Sequence, residues 1–212
     1  MNKENILGFP FYRFYYEKNK IDFISEELEK LSYRPNPNNM IWTGVTMDGK
    51  GKNLHDLPQF KDIFKWFHNC LNEVKKDLKL TCDKLTIVSS WSNIAHPGQS
   101  FHGHKHPNCF ISSNYYAKGS KNDKTVWQIP NPYFDNSNIH PFGMSGDKEE
   151  LYYLKHYEST EPGKFVVFPP SIFHYATKNT TNTNRVTIAA NAYPEGLITC
   201  GNVSKMKIKI IK

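Results

Sequence analysis

The chain has 212 residues, a mean hydropathy of −0.63 and a formal net charge of +7. A chain of this length buries about 70% of the surface that it exposes when unfolded, so we expect one globular domain over residues 1–212. Only three of the 27 basic residues are arginines (27 − 3 leaves 24 lysines) and no basic stripe or reading motif is present, so a nucleic-acid partner is not expected.

The amino-terminal third, residues 1–82, predicts a layer of helices and one strand. The segment "ILGFPFYRFYY" has strand character, and "IDFISEELEKL" is typical of a short amphipathic helix. A longer helix is predicted after Pro58, which occupies its first turn. Gaps of three and four residues separate its apolar positions, namely Phe60, Phe64, Phe67, Leu71, Val74 and Leu78. His68 lies in this helix beside Phe67, and we interpret it as structural.

Residues 83–212 predict a β-rich core. Short extended runs alternate with clusters of Gly, Pro, Asn and Asp, which favours a sandwich or a barrel that packs against the amino-terminal layer. The runs are "KLTIVSSWSNIA", "CFISSNYYAK", "KTVWQI", "KFVVF", "HYAT" and "RVTIAANAY". The final segment "KMKIKIIK" alternates lysine with apolar residues, which is typical of an edge strand protected by charge.

Three histidines at a spacing of two residues lie in "SFHGHKHPNCF", at positions 102, 104 and 106. Residues spaced by two share one face of a strand, so neighbouring imidazoles can reach one metal ion. Pro107 follows directly and stops the strand. We therefore predict that His104 and His106 are metal ligands at a strand end, where open coordination positions remain.

A third ligand is predicted from "GKFVVFPPSIFHYATKNTTNTNRVTIAANAY". His174 follows a Pro-Pro turn, and "KNTTNTN" predicts a hairpin loop that would place His174 opposite Arg185. A planar guanidinium grips a carboxylate through two hydrogen bonds, which lysine cannot do. Thr187 shares the face of Arg185, so this wall of the core is predicted to bind an anion beside the metal.

The order of these motifs resembles the iron(II)/2-oxoglutarate oxygenases. The pattern is W…N…G…H-x-H-P, then S-x-x-Y-Y, then G-x-x-x-x-F-P…H…R-x-T-x-x-x-N, and it runs from Lys84 to Tyr193. It is most similar to short bacterial and phage members related to prolyl hydroxylases. The resemblance implies an α+β, mainly β fold with a double-stranded β-helix (jelly-roll) core, and amino-terminal helices packed against one sheet.

The resemblance also implies roles for individual residues. His104, His106 and His174 would bind Fe(II), and Arg185 would complete the catalytic set by binding the distal carboxylate of 2-oxoglutarate with Thr187. The resemblance places Tyr116 at the same carboxylate and Asn191 on the substrate or cosubstrate side; for Tyr116, ordinary strand packing is the alternative. The expected activity is a dioxygenase that uses O2 to hydroxylate a peptide or protein residue or a small molecule, with succinate and CO2 as coproducts.

Two features leave alternatives open. Most of the superfamily binds its metal through two histidines and one carboxylate. In this chain His106 occupies the carboxylate position, and the next acidic residue, Asp123, is too far along the chain to take its place simply. His102 is a rival to His106 as the ligand. A cupin-type metal protein that does not use 2-oxoglutarate is the alternative function, although it leaves Arg185 unexplained; a basic binding module without catalysis is a third.

A long connection between Pro130 and Leu151 is predicted to cover the substrate, with aromatic residues Trp127, Tyr133, Phe134 and Phe142.

The compartment is predicted from what the chain lacks. Its amino terminus has no signal-peptide pattern and no apolar run reaches the length of a membrane span, so no membrane partner is expected. The four cysteines contain no C-x-x-C pair, which favours reduced thiols over disulfides or a zinc site. We therefore expect a cytoplasmic protein.

Overall fold

A computed structural model describes residues 1–36, 40–43, 53–132, 152–202 and 204–211. The helices within these ranges are α1 (Ile21–Glu29) and α2 (Lys61–Asp77). The strands are β1 (Asn2–Ile6), β2 (Phe9–Tyr15), β3 (Arg34–Asn36), β4 (Met40–Thr43), β5 (Lys84–Ala95), β6 (Phe101–His104), β7 (Ile111–Lys118), β8 (Lys124–Pro130), β9 (Tyr153–Ser159), β10 (Lys164–Phe168), β11 (Phe173–Ala176), β12 (Arg185–Cys200) and β13 (Ser204–Ile208).

The strands form two antiparallel sheets. Within the described ranges the large sheet has the order β1-β2-β10-β7-β12-β5-β4-β3, with β13 paired to the distal part of β12. The small sheet has the order β6-β11-β8-β9. The chain therefore alternates between the sheets as it passes through β5 to β12, which is the topology of a jelly roll. The predicted fold class is confirmed.

The two helices pack on the outer face of the large sheet. The predicted apolar stripe of α2 is buried from Phe60 to Val74, and Phe67 stacks on Phe165 of β10 with 4.2 Å between ring centroids. His68 has a structural role, because its Nδ1 atom hydrogen-bonds the carbonyl of Phe64 within the helix. Of the helices described, none is both long and apolar enough to cross a bilayer.

The prediction of one continuous strand over "ILGFPFYRFYY" is wrong, because the segment contains a turn. Leu7 and Gly8 both adopt positive φ, at 51° and 83°, which reverses the chain between β1 and β2. Glycine meets no steric cost there. Strand β2 then pairs with β10, and β4 pairs with β5 on the other side. Strands from the first 43 residues thus extend the large sheet on both flanks.

A second apolar cluster lies on the inner side of the large sheet, facing the small sheet. It contains Phe11, Tyr116, Trp127, Phe168 and their buried neighbours. Trp127 contacts Phe11 edge-on at 5.0 Å and Phe168 at 5.1 Å between ring centroids. This cluster fills one end of the space between the sheets. The other end remains open for the polar residues described below.

A buried charge cluster also joins the two sheets. Glu158 of β9 accepts hydrogen bonds from Arg13 Nε of β2 and from Lys164 Nζ at the start of β10, each at 2.6 Å. Glu158 is 7% exposed and Lys164 is 2% exposed. Burial alone would raise the pKa of Glu158, but hydrogen bonds from His156, Lys164 and Arg13 lower it to about 2.

Replacing Glu158 by glutamine is expected to lower the free energy of unfolding by about 3 kcal/mol at neutral pH, since it removes the buried carboxylate that Lys164 and Arg13 share. The carboxyl pKa is lower in the folded state than its ordinary value of 4.5, so its contribution is complete above about pH 4.5 and is lost as the pH falls towards 2. Denaturant unfolding measures this effect. The difference in the free energy of unfolding between wild type and variant should be smaller near pH 3 than at neutral pH.

The matched control is Glu161→Gln. Glu161 forms only an exposed ion pair with Lys121, at 3.5 Å, so its loss should cost less than about 1 kcal/mol at either pH. Equal losses for the two variants would contradict a structural role of the Glu158 cluster.

Candidate metal and cosubstrate site

Three histidines converge at the open end of the small sheet. His104 is the last residue of β6, His106 lies two residues beyond it, and His174 of β11 is the direct cross-strand partner of His104. One ring nitrogen from each lies within 4.8 Å of the others. The Nε2 atoms of His106 and His174 are 3.2 Å apart. Two nitrogens bound to one ion at about 2.1 Å and at right angles lie ~3 Å apart, so this spacing suits a shared metal.

The opposite ring nitrogens are bound to oxygen acceptors. Nδ1 of His104 lies 3.1 Å from the carbonyl of His102, and Nδ1 of His174 lies 3.1 Å from the carbonyl of Ile172. A carbonyl can only accept, so each Nδ1 carries the proton and each Nε2 presents a lone pair. Such outer bonds fix the tautomer of metal-binding histidines. Asn191 lies near the His106 ring and acts to raise its pKa, against the effect of burial.

Burial keeps these imidazoles neutral. It lowers the pKa of His104, and together with the neighbouring His104 it lowers the pKa of His106 to about 4. The pKa of His174 falls well below its ordinary value, first because of burial and then because of the two other histidines. Neutral imidazole is the form that binds metals. The cluster is thus ready to bind a cation at physiological pH.

Packing on both sides restricts the rings. His174 lies edge-on to Phe168 at 5.0 Å and stacks on Trp127 at 6.0 Å, while Trp91 of β5 stacks on His106 at 5.6 Å between centroids. Gly103, between the first two histidines, leaves room for the Phe173 ring, which would clash with any added Cβ. The glycine of the H-G-H sequence therefore allows β6 and β11 to approach closely.

His102 lies outside the converging group. It is exposed, and its ring centroid is 5.7 Å from that of His104, whereas the His106 ring lies 5.0 Å from both His104 and His174. Its carbonyl instead accepts from His104. Of the two rivals named from the sequence, the structure places His106 with the other ligand candidates.

The predicted hairpin between His174 and Arg185 is wrong. His174 lies in the small sheet, paired with β6 and β8, whereas Arg185 begins β12 in the large sheet and pairs with Ala95 of β5. Residues 177–184 carry the chain from one sheet to the other. Both side chains nevertheless line the same cavity of about 60 Å³ between the sheets. They are brought together across the sandwich and not along a ladder.

Arg185 is buried at the inner side of this cavity. Its side chain is 4% exposed; Nη1 donates to the carbonyl of Thr177 at 2.8 Å and lies 3.9 Å from a carboxylate oxygen of Asp123. Burial lowers its pKa, and the charge of Asp123 opposes that effect. Its Nη2 atom is buried and has no hydrogen-bond partner among the residues that the structure describes. A buried donor of a charged group without a partner is costly, so the guanidinium is oriented towards an acceptor that a ligand would supply.

Two further predicted anion-binding residues line the same cavity. Thr187 follows Arg185 on the inner face of β12, and Tyr116 of β7 is its cross-strand partner. The Tyr116 hydroxyl is fully buried and donates to Thr125 Oγ1 at 2.9 Å. Burial raises the pKa of Tyr116 far above its ordinary value, so the hydroxyl stays a donor.

Asn191 has a different environment from these residues. Its Oδ1 atom accepts from Ser112 Oγ at 3.0 Å, and the side chain lies near His106, whose pKa it acts to raise. It is 7% exposed. The structure therefore places Asn191 behind a candidate metal ligand.

Two residues of the site received no role from the sequence. Trp91 covers His106, and Asp123 lies behind Arg185. Asp123 occurs in the polar turn "KGSKNDK", which gives no sign that its side chain is 1% exposed. Of the predicted lid, Tyr133, Phe134 and Phe142 lie outside the described residues. Trp127 is fully buried in β8 beneath His174.

A jelly roll with three converging histidines and a buried arginine in one cavity defines a class of metal-dependent proteins that bind an anionic ligand. Residues 89–191 match the family model described as "Putative 2OG-Fe(II) oxygenase". Residues 89–191 are thus a 2-oxoglutarate/iron(II) oxygenase domain, as the motifs predicted. The chain is therefore an enzyme that uses iron(II), 2-oxoglutarate and O2, and the cupin and binding-module alternatives are not supported. No curated protein matches the chain by sequence.

Solved structures share the fold at low sequence identity. A prolyl-4-hydroxylase from Pseudomonas putida is 8% identical, with a TM-score of 0.59 over 88% of this chain and 93% of that one. HygX from Streptomyces hygroscopicus, with nickel and 2-oxoglutarate bound, is 10% identical, with a TM-score of 0.55 over 87% and 82%. The viral collagen prolyl hydroxylase from Paramecium Bursaria Chlorella virus-1 is 11% identical, with a TM-score of 0.51 over 86% and 94%. At these identities the likeness shows the fold alone.

Proposed function

We propose that the enzyme is a hydroxylase in which His104, His106 and His174 bind Fe(II) and Arg185 binds the distal carboxylate of 2-oxoglutarate. The substrate would be a peptide or protein residue or a small molecule, and succinate and CO2 would be the coproducts. Bound iron and 2-oxoglutarate would supply the activation of O2. The chain's own residues would bind, orient and shield the reactants.

The observation that carries this proposal is the pair of facing Nε2 atoms of His106 and His174, 3.2 Å apart. His174 donates its Nδ1 proton to the carbonyl of Ile172, so its Nε2 has a lone pair and no proton. If His106 likewise carries its proton on Nδ1, its Nε2 presents a second lone pair to His174, and two facing lone pairs repel each other unless a cation lies between them. A divalent metal ion would remove that repulsion, and His104 Nε2 would provide a third ligand.

The other end of the cavity supports a ligand with a carboxylate. The unpartnered Nη2 of Arg185 is a charged donor, and Thr187 and Tyr116 add hydroxyl groups to the same wall. Since Nη1 is already bound to Thr177, the guanidinium cannot turn freely. A molecule with a chelating end and a distal carboxylate would satisfy both ends of the cavity. 2-Oxoglutarate has that form.

The structural neighbours support hydroxylation and the proposed substrate class. Two of those named above are prolyl hydroxylases, and HygX has also been solved with hygromycin B bound, so both polymers and small molecules are in the proposed substrate class. We further propose a single domain over residues 1–212 and a cytoplasmic location, since all four cysteines are unpaired.

An anaerobic titration tests the proposal. Fe(II) followed by 2-oxoglutarate should produce a visible charge-transfer band in the wild-type protein, which neither component gives alone. Admission of O2 should then convert 2-oxoglutarate to succinate. Binding of Fe(II) without a band on addition of 2-oxoglutarate would overturn the assignment of this cavity. Incubation with labelled O2 and candidate peptides would test hydroxylation by the incorporation of one labelled oxygen atom into the product.

A further inference from the structure

A buried carboxylate lies directly behind the proposed cosubstrate arginine. Asp123 immediately precedes β8 and is 1% exposed. Its Oδ1 atom accepts from the backbone N–H of Thr180 at 3.1 Å and from the Thr180 hydroxyl at 2.6 Å. Within the described ranges its Oδ2 atom has no hydrogen-bond partner, and it lies 3.9 Å from Nη1 of Arg185. One half of the carboxylate thus holds the loop 177–184, and the other half faces the guanidinium through space.

The arginine's position does not depend on this carboxylate. Nη1 of Arg185 is held by the carbonyl of Thr177 at 2.8 Å, whereas the distance to Asp123 is beyond hydrogen-bonding range. Asp123 therefore balances the charge of Arg185 and contributes little to the position of its side chain. A buried guanidinium needs a counter-ion, and in the ligand-free protein Asp123 provides it.

We propose that Asp123 competes with the distal carboxylate of the ligand for Arg185 and thereby weakens the binding of cosubstrate and coproduct alike. This inference rests on the proposed role of Arg185. A ligand carboxylate at Nη2 would share one positive charge with Asp123 in a poorly solvated cavity, where like charges repel strongly. 2-Oxoglutarate also has a chelating 2-oxo acid end, so it stays bound in spite of this repulsion. Succinate lacks the 2-oxo group, so the same repulsion leaves it weakly bound and promotes its release.

The test compares Asp123→Asn with wild type by calorimetry and thermal unfolding, with Mn(II) as a redox-inert metal and 2-oxoglutarate or succinate as ligand. Asparagine keeps the size and the oxygen that accepts from Thr180 but removes the charge. The ligand-free variant should unfold at a lower temperature than wild type. It should nevertheless bind both dicarboxylates more tightly, each by about tenfold. Competition predicts lower stability together with higher affinity in the variant. A purely structural role of Asp123 would instead lower both the stability and the affinity.

The matched control is Asp62→Asn, which removes the same charge from an exposed position in the first turn of α2, on the far side of the large sheet. It should change neither affinity. Unchanged or weaker succinate binding by Asp123→Asn, with wild type binding 2-oxoglutarate normally, would overturn the inference. Failure of the wild type to bind 2-oxoglutarate would instead overturn the proposed function. Should the amide variant not fold, Asp123→Ser also removes the charge and is held to the same outcome.

Discussion

Replacing His106 by alanine is expected to weaken Fe(II) binding by more than about 100-fold, since even the loss of an outer partner of a metal ligand costs 10–100-fold. His106 Nε2 faces His174 Nε2, and its removal would leave two of the three converging nitrogens. The charge-transfer band with 2-oxoglutarate should disappear. Equilibrium dialysis with Fe(II) under anaerobic conditions and the visible spectrum measure the two effects.

His102→Ala is the matched control, because it removes an imidazole from the same strand and only two residues from His104. His102 is exposed, and it accepts the hydrogen bond from His104 through its carbonyl, which alanine retains. The variant should therefore bind Fe(II) and form the band as wild type does. Loss of the band in His102→Ala with retention in His106→Ala would assign the ligand to His102 instead. The pair thus decides between the two ligand sets that the sequence left open.

The elements were predictable wherever the signal was local. The apolar spacing of three and four in α2 follows from the helical repeat, and β5 was predicted with both of its ends, Lys84 and Ala95, because alternation and flanking polar residues mark a strand. The grouping of His104, His106 and His174 was also predictable, since two ligands share a strand end and the third begins another. For the helix, the strand and the His104–His106 pair, the deciding pattern spans only a few residues.

The pairing of strands was not predictable in the same way. Residues 177–184 have the composition of a hairpin loop, yet they connect two different sheets, because β12 finds partners in β5 and β7 that are far away in sequence. The burial of Asp123 follows from the same crossing, since its partners Thr180 and Arg185 lie on the connection and on the next strand. Such contacts depend on the closure of the sandwich, which no short window of sequence contains.

Replacing Arg185 by lysine is expected to weaken 2-oxoglutarate binding by at least about 30-fold, the equivalent of ~2 kcal/mol for a buried, hydrogen-bonded charge. The positive charge remains, but an ammonium group cannot donate both to the Thr177 carbonyl and to a carboxylate in the directions of the guanidinium fork. Binding of Fe(II) without 2-oxoglutarate should be unchanged, because none of the histidines is altered. Anaerobic titration of the band measures the first effect, and dialysis measures the second.

Arg13→Lys separates loss of recognition from loss of stability. Arg13 is also a largely buried arginine, and it donates to Glu158 at 2.6 Å in the charge cluster between the sheets. Its replacement should lower the unfolding temperature while leaving the affinity for 2-oxoglutarate unchanged, since Arg13 does not line the cavity that contains Arg185. Equal losses of affinity in the two variants would mean that both act through general destabilisation. A selective loss in Arg185→Lys would show that the chain, which otherwise uses lysine for most of its positive charge, needs arginine here for its geometry.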